Sequence, residues 1–205
     1  MTPAELDAGR ASVWLGEMLG ALRGERDADV PCNGCTACCE SSQFVLVEPD
    51  EHDARGHIPA ELLFPAPGAP KGFSVLPYDE HGRCPMLQDG RCSIYDHRPR
   101  TCRTYDCRVL AAANVDVGPA KPAIRRRVAA WGFEVADDAD RQALDSVQAA
   151  AAFLAEQADD LPGGAPPPTQ LAVLAVESHD LFTGDDPPRP DEVLVELRRR
   201  LRPRD

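Results

Sequence analysis

Eight cysteines, all lying between Cys32 and Cys107, constrain this 205-residue chain more than any other feature. The 129 residues outside that window contain none. Thiols concentrated in one segment serve either as disulfide cross-links or as ligands for soft metal ions. Disulfide frameworks belong mainly to small exported domains that cannot build a sufficient core. This chain is long enough to bury one, and its first residues, MTPAELDAGR, carry no basic start and no apolar stretch of the secretory kind. The reading is therefore of reduced, metal-binding thiols in a cytoplasmic protein.

Cysteine spacing supports metal. Cys32, Cys35, Cys38 and Cys39 form a C-x2-C-x2-C-C run. Two residues between thiols let a loop fold back so that both sulfurs reach one ion. Three thiols spaced this way suit the first ligands of a bacterial ferredoxin pattern, and equally part of a zinc site. Cys38 and Cys39 are adjacent, and successive side chains of an extended chain diverge. The two are expected to play different roles, or one of them bridges. Cys84, Cys92, Cys102 and Cys107 follow and bring the ligand count to eight. That equals two four-cysteine sites or one polynuclear site.

The charge distribution fits anionic thiolates. The whole chain carries a net −12, which argues against generic binding to DNA or RNA. Residues 83–127 contain ten basic and four acidic side chains, a local +6. Arg83, Arg91, Arg98, Arg100, Arg103 and Arg108 stand beside the cysteines in sequence and offer to offset thiolate charge. His97, Arg98 and Arg103 are the residues expected around the ligands. His52 and His57 read as surface histidines; His97, inside the motif, is the better candidate for a group beside the ligands, and His81, just before Cys84, a weaker one. Tyr95 and Tyr105 are expected to pack near the site, Trp14 and Trp131 in a core or interface, and Arg125, Arg126 and Arg127 on the exposed side of a helix.

Periodicity predicts a helix from Pro3 to about Arg23, ended by Gly24. Residues 32–39 read as loop, Phe44–Val47 as a short buried strand, and Pro49–Arg55 as a short helix. Residues 65–72 read as loop. Short strands are expected between Phe73 and Cys92, around a turn at Gln88-Asp89-Gly90. A short helix over Arg98–Thr104 starts at Pro99. The C-terminal half reads as a helix over Ala139–Ala158, a second capped by Thr169 and running to about Phe182, and a last one from Asp191 through VLVELRRRL. The proline-rich runs PGGAPPP and GDDPPRP separate them. The expected class is α+β, mostly α, in which a small irregular cysteine and metal core with a short β-hairpin is packed by N- and C-terminal helices. The expected divisions are 1–29, an N-terminal helix; 30–110, the cysteine domain; and 111–205, a helical region. The longest apolar run, Ala149 to Ala155, is far too short to span a membrane.

Four segments carry a family resemblance. They are Cys32-Asn33-Gly34-Cys35-Thr36-Ala37-Cys38-Cys39, Arg83-Cys84-Pro85-Met86-Leu87, Gly90-Arg91-Cys92-Ser93-Ile94-Tyr95-Asp96-His97-Arg98-Pro99 and Thr101-Cys102-Arg103-Thr104-Tyr105-Asp106-Cys107. Together they resemble the CxxCxxCC, or YkgJ-like, family of zinc- or iron-chelating proteins. The resemblance covers about residues 30–108 and implies a zinc or iron centre, with an iron–sulfur cluster as one form of it. A related cysteine-rich region occurs in flagellin lysine methylases. A metal-dependent enzyme modifying protein side chains, methylase-like or redox, therefore stands as the alternative, with metal storage or sensing as a third reading. No phosphate loop, dinucleotide fingerprint, G-x-S-x-G elbow or H-E-x-x-H pair appears in the sequence. A protein or small-molecule partner is expected, without nucleic acid or membrane.

Overall fold

The chain is a mixed α+β structure, seen in a computed structural model that describes residues 6–28, 30–32, 34–42, 44–161, 164–184 and 188–200. Its elements in order are β1 (Leu6–Arg10), α1 (Ala11–Leu22), β2 (Phe44–Val47), α2 (His52–His57), β3 (Phe64–Pro65), β4 (Ser74–Pro77), β5 (Leu87–Gln88), β6 (Arg91–Cys92), α3 (Arg100–Thr104), α4 (Arg108–Ala112), α5 (Pro122–Ala130), β7 (Trp131–Glu134), α6 (Asp138–Glu156), α7 (Pro168–Ser178) and α8 (Pro190–Arg200). The contacts divide the chain into two units. One holds the residues up to Leu19, Arg108–Val117 and those from Val128 onward; the other holds Gly20–Cys107 and Gly118–Arg127.

The first unit is mainly helical. Val147, Ala150 and Leu154 of α6 are buried with Ala172, Ala175 and Val176 of α7 and with Val109 and Leu110 of α4. Asp137 caps α6, its side chain accepting the Asp140 N–H at 3.0 Å. Asp140 is fully buried and ties the unit together. Its carboxylate accepts the Ser12 N–H at 3.0 Å, the Ser12 hydroxyl, the Arg10 Nε at 3.0 Å and the Ala136 N–H at 3.0 Å. Trp14 and Trp131 are buried as expected, and Trp14 packs at 4.9 Å on Phe133.

The N-terminal helix is shorter than its periodicity predicts. Leu6–Arg10 is strand β1, paired in parallel with β7, with Leu6 opposite Trp131. Two causes combine. Gly9 takes a left-handed φ of 82°, which a helix interior does not allow. Asp140 then captures the Ser12 N–H, fixing the helix start just after the strand. The expected start at Pro3 lies outside the described residues. So do Pro162–Gly163 and Asp185–Pro187 within the expected breaks, and Leu201 at the end of the last helix.

The second unit holds every cysteine. Strand β4 is central, antiparallel to β2 (Val45 opposite Leu76) and to β3 (Phe64 opposite Val75). Alternation along β2 buries Val45 and Val47 and leaves Phe44 exposed. Val45, Val47, Ile58, Leu76, Cys84, Met86 and Ile94 form one apolar cluster. The expected hairpin is β5–β6, with Leu87 opposite Cys92. Its two turn residues both have positive φ, Asp89 at 49° and Gly90 at 75°. That is the type I′ geometry whose twist matches a tight antiparallel pair.

Smaller corrections have local causes. The helix expected at Pro49–Arg55 is α2, with Pro49 in the preceding turn. Residues 37–40, expected as loop, form a single turn of 3-10 helix. Thr169 does not cap α7: Pro167 holds the cap position and Pro168 begins the helix, as proline's missing N–H and fixed φ favour at a helix start. Among the described residues, no helix is long and apolar enough to cross a membrane.

Candidate metal centre

The two cysteine groups, separated by more than forty residues, are joined by the backbone. The Cys84 N–H donates to the Cys39 carbonyl at 2.8 Å. The Leu87 N–H returns to the Cys84 carbonyl at 2.9 Å, and the Ser93 N–H and hydroxyl both reach the Met86 carbonyl, so the hairpin closes over Cys84. Cys84 is part of the apolar cluster, and Cys39, Cys92 and Cys102 pack against it.

Polar bonds deliver Cys102. It sits in α3, whose Thr101 hydroxyl donates to the Leu46 carbonyl of β2 at 2.8 Å. Arg100 pairs with Glu48 at 2.6 Å, and the Arg100 N–H donates to buried Glu51. These charge-assisted bonds hold a short helix that has little stability alone. Cys32 and Cys35 occupy the loop before the 3-10 turn. There the Cys35 N–H donates to the Cys32 carbonyl at 2.9 Å, and the Ala37 N–H approaches the Cys35 sulfur at 3.5 Å.

The sulfurs act on one another electrostatically. Cys38 and Cys39 are 4.0 Å apart. The shared S–H hydrogen bond pulls the exposed Cys38 thiol down to about 7 and pushes its neighbour Cys39 well above the ordinary thiol range. Burial, then the charges of Cys38, Cys84 and Cys92, push Cys102 up to about 12. Cys84 is raised by burial, and Cys32 by burial followed by Cys38 and Cys35. Cys32, Cys39, Cys84 and Cys102 each feel the charge of at least one other cysteine. Cys107 is buried just beyond α3. No cysteine is in a disulfide.

Such raised thiols ionise readily only when a cation sits among them, as a metal does. The donor set therefore fits a thiophilic ion. Among the described residues, no three cysteine sulfurs lie mutually within 4.8 Å. A tetrahedral zinc–thiolate site, with bonds near 2.3 Å, has sulfur–sulfur edges of about 3.8 Å.

The surrounding basic residues separate into distinct roles. Arg98 stacks on Tyr95, its guanidinium 3.7 Å from the ring centre, and its charge lowers the Cys32, Cys38 and Cys102 thiols. Arg103 instead pairs with Asp27 at 3.3 Å. Arg100 serves the acidic residues after β2, and buried Arg108 donates to the Ala8 carbonyl at 3.3 Å in the other unit. Arg83 and Arg91 are exposed.

Three residues escaped sequence reasoning. Arg127, expected on an exposed helix face, donates to the Pro31 and Cys32 carbonyls at 2.9 and 3.3 Å and lowers the Cys32 thiol. The Tyr78 hydroxyl donates to the Cys38 carbonyl at 3.2 Å; burial, then the neighbouring thiolates, raise its phenol. Asp53 accepts from His97 Nδ1 at 2.8 Å, which holds its carboxyl below the usual range. Thus His97, expected beside the cysteines, pairs with Asp53 and stacks on His57. His52 and His81 are exposed.

This arrangement defines a class: a small α+β unit that gathers thiols on an apolar core with arginines close by, a cysteine-cluster domain. Residues 31–121 match the CxxCxxCC family model, described as a "putative zinc- or iron-chelating domain", and all eight cysteines fall inside the match. No curated protein and no solved structure matches the chain.

Proposed function

We propose that the cysteine domain holds iron as one or two iron–sulfur clusters, each ligated by four thiolates drawn from Cys32, Cys35, Cys38, Cys39, Cys84, Cys92, Cys102 and Cys107. The observation that carries this reading is the joining of the C-x2-C-x2-C run to the second cysteine group, where the Cys84 N–H donates to the Cys39 carbonyl at 2.8 Å and Cys39, Cys92 and Cys102 pack against the apolar cluster that holds Cys84. The C-x2-C-x2-C spacing suits the same centre.

When bound, such a cluster supplies one-electron transfer. The chain's own residues prepare for it. Arg98 and Arg127 favour the thiolate forms, and the apolar cluster around Cys84 keeps water from that side. The Tyr78 hydroxyl fixes the Cys38 carbonyl.

Single Cys35→Ser and Cys102→Ser variants test the ligand assignment. Iron and acid-labile sulfide per chain are expected to fall by half or more in each, in protein isolated without oxygen. Unchanged stoichiometry in both removes the proposal.

A further inference from the structure

A second cluster of metal-ligating side chains stands apart from the thiols in donor type. Asp53 and His57 are four residues apart on α2, so both project from one helix face. Ala54 of α2 and Ile58, which caps the helix, are buried. His97 closes the single turn Tyr95–His97, three residues after buried Ile94. Ile58 and Ile94 belong to the same apolar cluster, which pins the two elements beside one another.

Potential ligand atoms of the three side chains lie close together. His97 Nδ1 is 2.8 Å from Asp53 Oδ2, and His57 Nδ1 is 3.7 Å from Asp53 Oδ1. The imidazoles stack at 3.5 Å with 6° between their planes. One ligand atom from each of the three residues lies within 4.8 Å of the other two. An ion with bonds of about 2.1 Å sets neighbouring tetrahedral ligands about 3.4 Å apart, between the two measured nitrogen–oxygen separations.

We infer that Asp53, His57 and His97 form a second metal site, one that takes a divalent first-row transition ion such as zinc. Imidazole and carboxylate are borderline-to-hard donors, so this site selects a different chemistry from the thiols. Three protein ligands leave coordination positions for water or an exogenous ligand, the pattern of an exchangeable or catalytic ion. The side chains are partly open to solvent, His57 at 44% and His97 at 41%, so the ion has an entry path. Converging on one ion requires the parallel rings to tilt apart, and ligation through His57 Nδ1 exchanges its present contact with the Asp53 carbonyl at 2.9 Å for the metal.

The test uses the full chain, isolated without oxygen and uniformly nitrogen-15 labelled. Zn²⁺ is titrated beyond the metal already present, and long-range proton–nitrogen spectra follow all five histidine rings. One further equivalent is expected to shift the His57 and His97 ring nitrogens and to leave those of His52, His81 and His179 in place. His97→Ala and Asp53→Asn are expected to weaken that equivalent about 10-fold or more, with iron and sulfide content unchanged. Ring nitrogens of His57 and His97 that stay fixed at saturating zinc overturn the site. So does retention of the extra equivalent by a folded His57→Ala/His97→Ala double variant. The spectra depend on imidazole nitrogen alone, so they decide this site even if the cysteines hold no metal.

Discussion

Leu76→Ala probes whether the core beneath the thiols is as closely packed as the structure shows. Leu76 is 1% exposed at the centre of β4, opposite Val45, and belongs to the cluster that includes Cys84. The substitution removes three carbons, worth about 0.8 kcal/mol each, or about 2.4 kcal/mol of transfer free energy. Neighbours fixed by sheet and hairpin bonds cannot collapse fully into the space, so a residual cavity brings the total to about 3–4 kcal/mol. Every tenfold change in an opening equilibrium is about 1.4 kcal/mol. Hydrogen exchange of the β2 and β4 amides, followed by mass spectrometry, is therefore expected to speed up by about 100-fold or more. Val195→Ala in α8 is the control: Val195 is 65% exposed, and its loss is expected to change stability by less than about 0.5 kcal/mol. Acceleration of less than about threefold in Leu76→Ala, under 0.7 kcal/mol, would refute the packing argument.

Other expectations follow from single groups. In metal-free protein, Cys38 is expected to be the first thiol alkylated, with a rate midpoint near pH 7, because the Cys39 S–H bond stabilises its thiolate. Arg98→Ala should move that midpoint upward, and mass-spectrometric mapping of iodoacetamide adducts at several pH values reads both effects. Gly90→Ala forces a Cβ into left-handed backbone in the β5–β6 turn and is expected to lower stability by about 1 kcal/mol, read as a shift in urea midpoint. The Ser12 hydroxyl, first among several donors, holds the Asp140 carboxyl below its ordinary value. A depressed folded value means stability that is fully present above the unfolded carboxylate range, near pH 4, and lost as pH falls toward the folded value. Acid titrations of the urea midpoint should therefore fall less steeply below pH 4 in Asp140→Asn, and parallel slopes would count against the role of this carboxylate.

The local signals were legible. Four consecutive apolar residues at Phe44–Val47, the Asp89-Gly90 pair and Pro99 ahead of α3 each carry their conformation in a short window, and each forms the expected element. The cysteines and the segments around them carried the resemblance to the CxxCxxCC family, whose model matches residues 31–121. What escaped depends on distant partners. Leu6–Arg10 shares its apolar residues with a helical period, but β7, more than a hundred residues away, makes it a strand. Arg127 reads as one of three solvated arginines until the loop before Cys32 presents it two carbonyls. His57 and His97 are forty residues apart in sequence, and only the packing of Ile58 with Ile94 brings their rings together with Asp53.

Iron held in a cluster by these cysteines leaves a direct chemical signature. The most direct measurement is metal and acid-labile sulfide content, with the visible spectrum, of full-length protein purified without oxygen and never reconstituted. Iron and sulfide in comparable amounts with broad visible absorption is the predicted result. A colourless protein carrying zinc alone would contradict it, and would instead place four-thiolate ions at sulfurs that must then draw closer together.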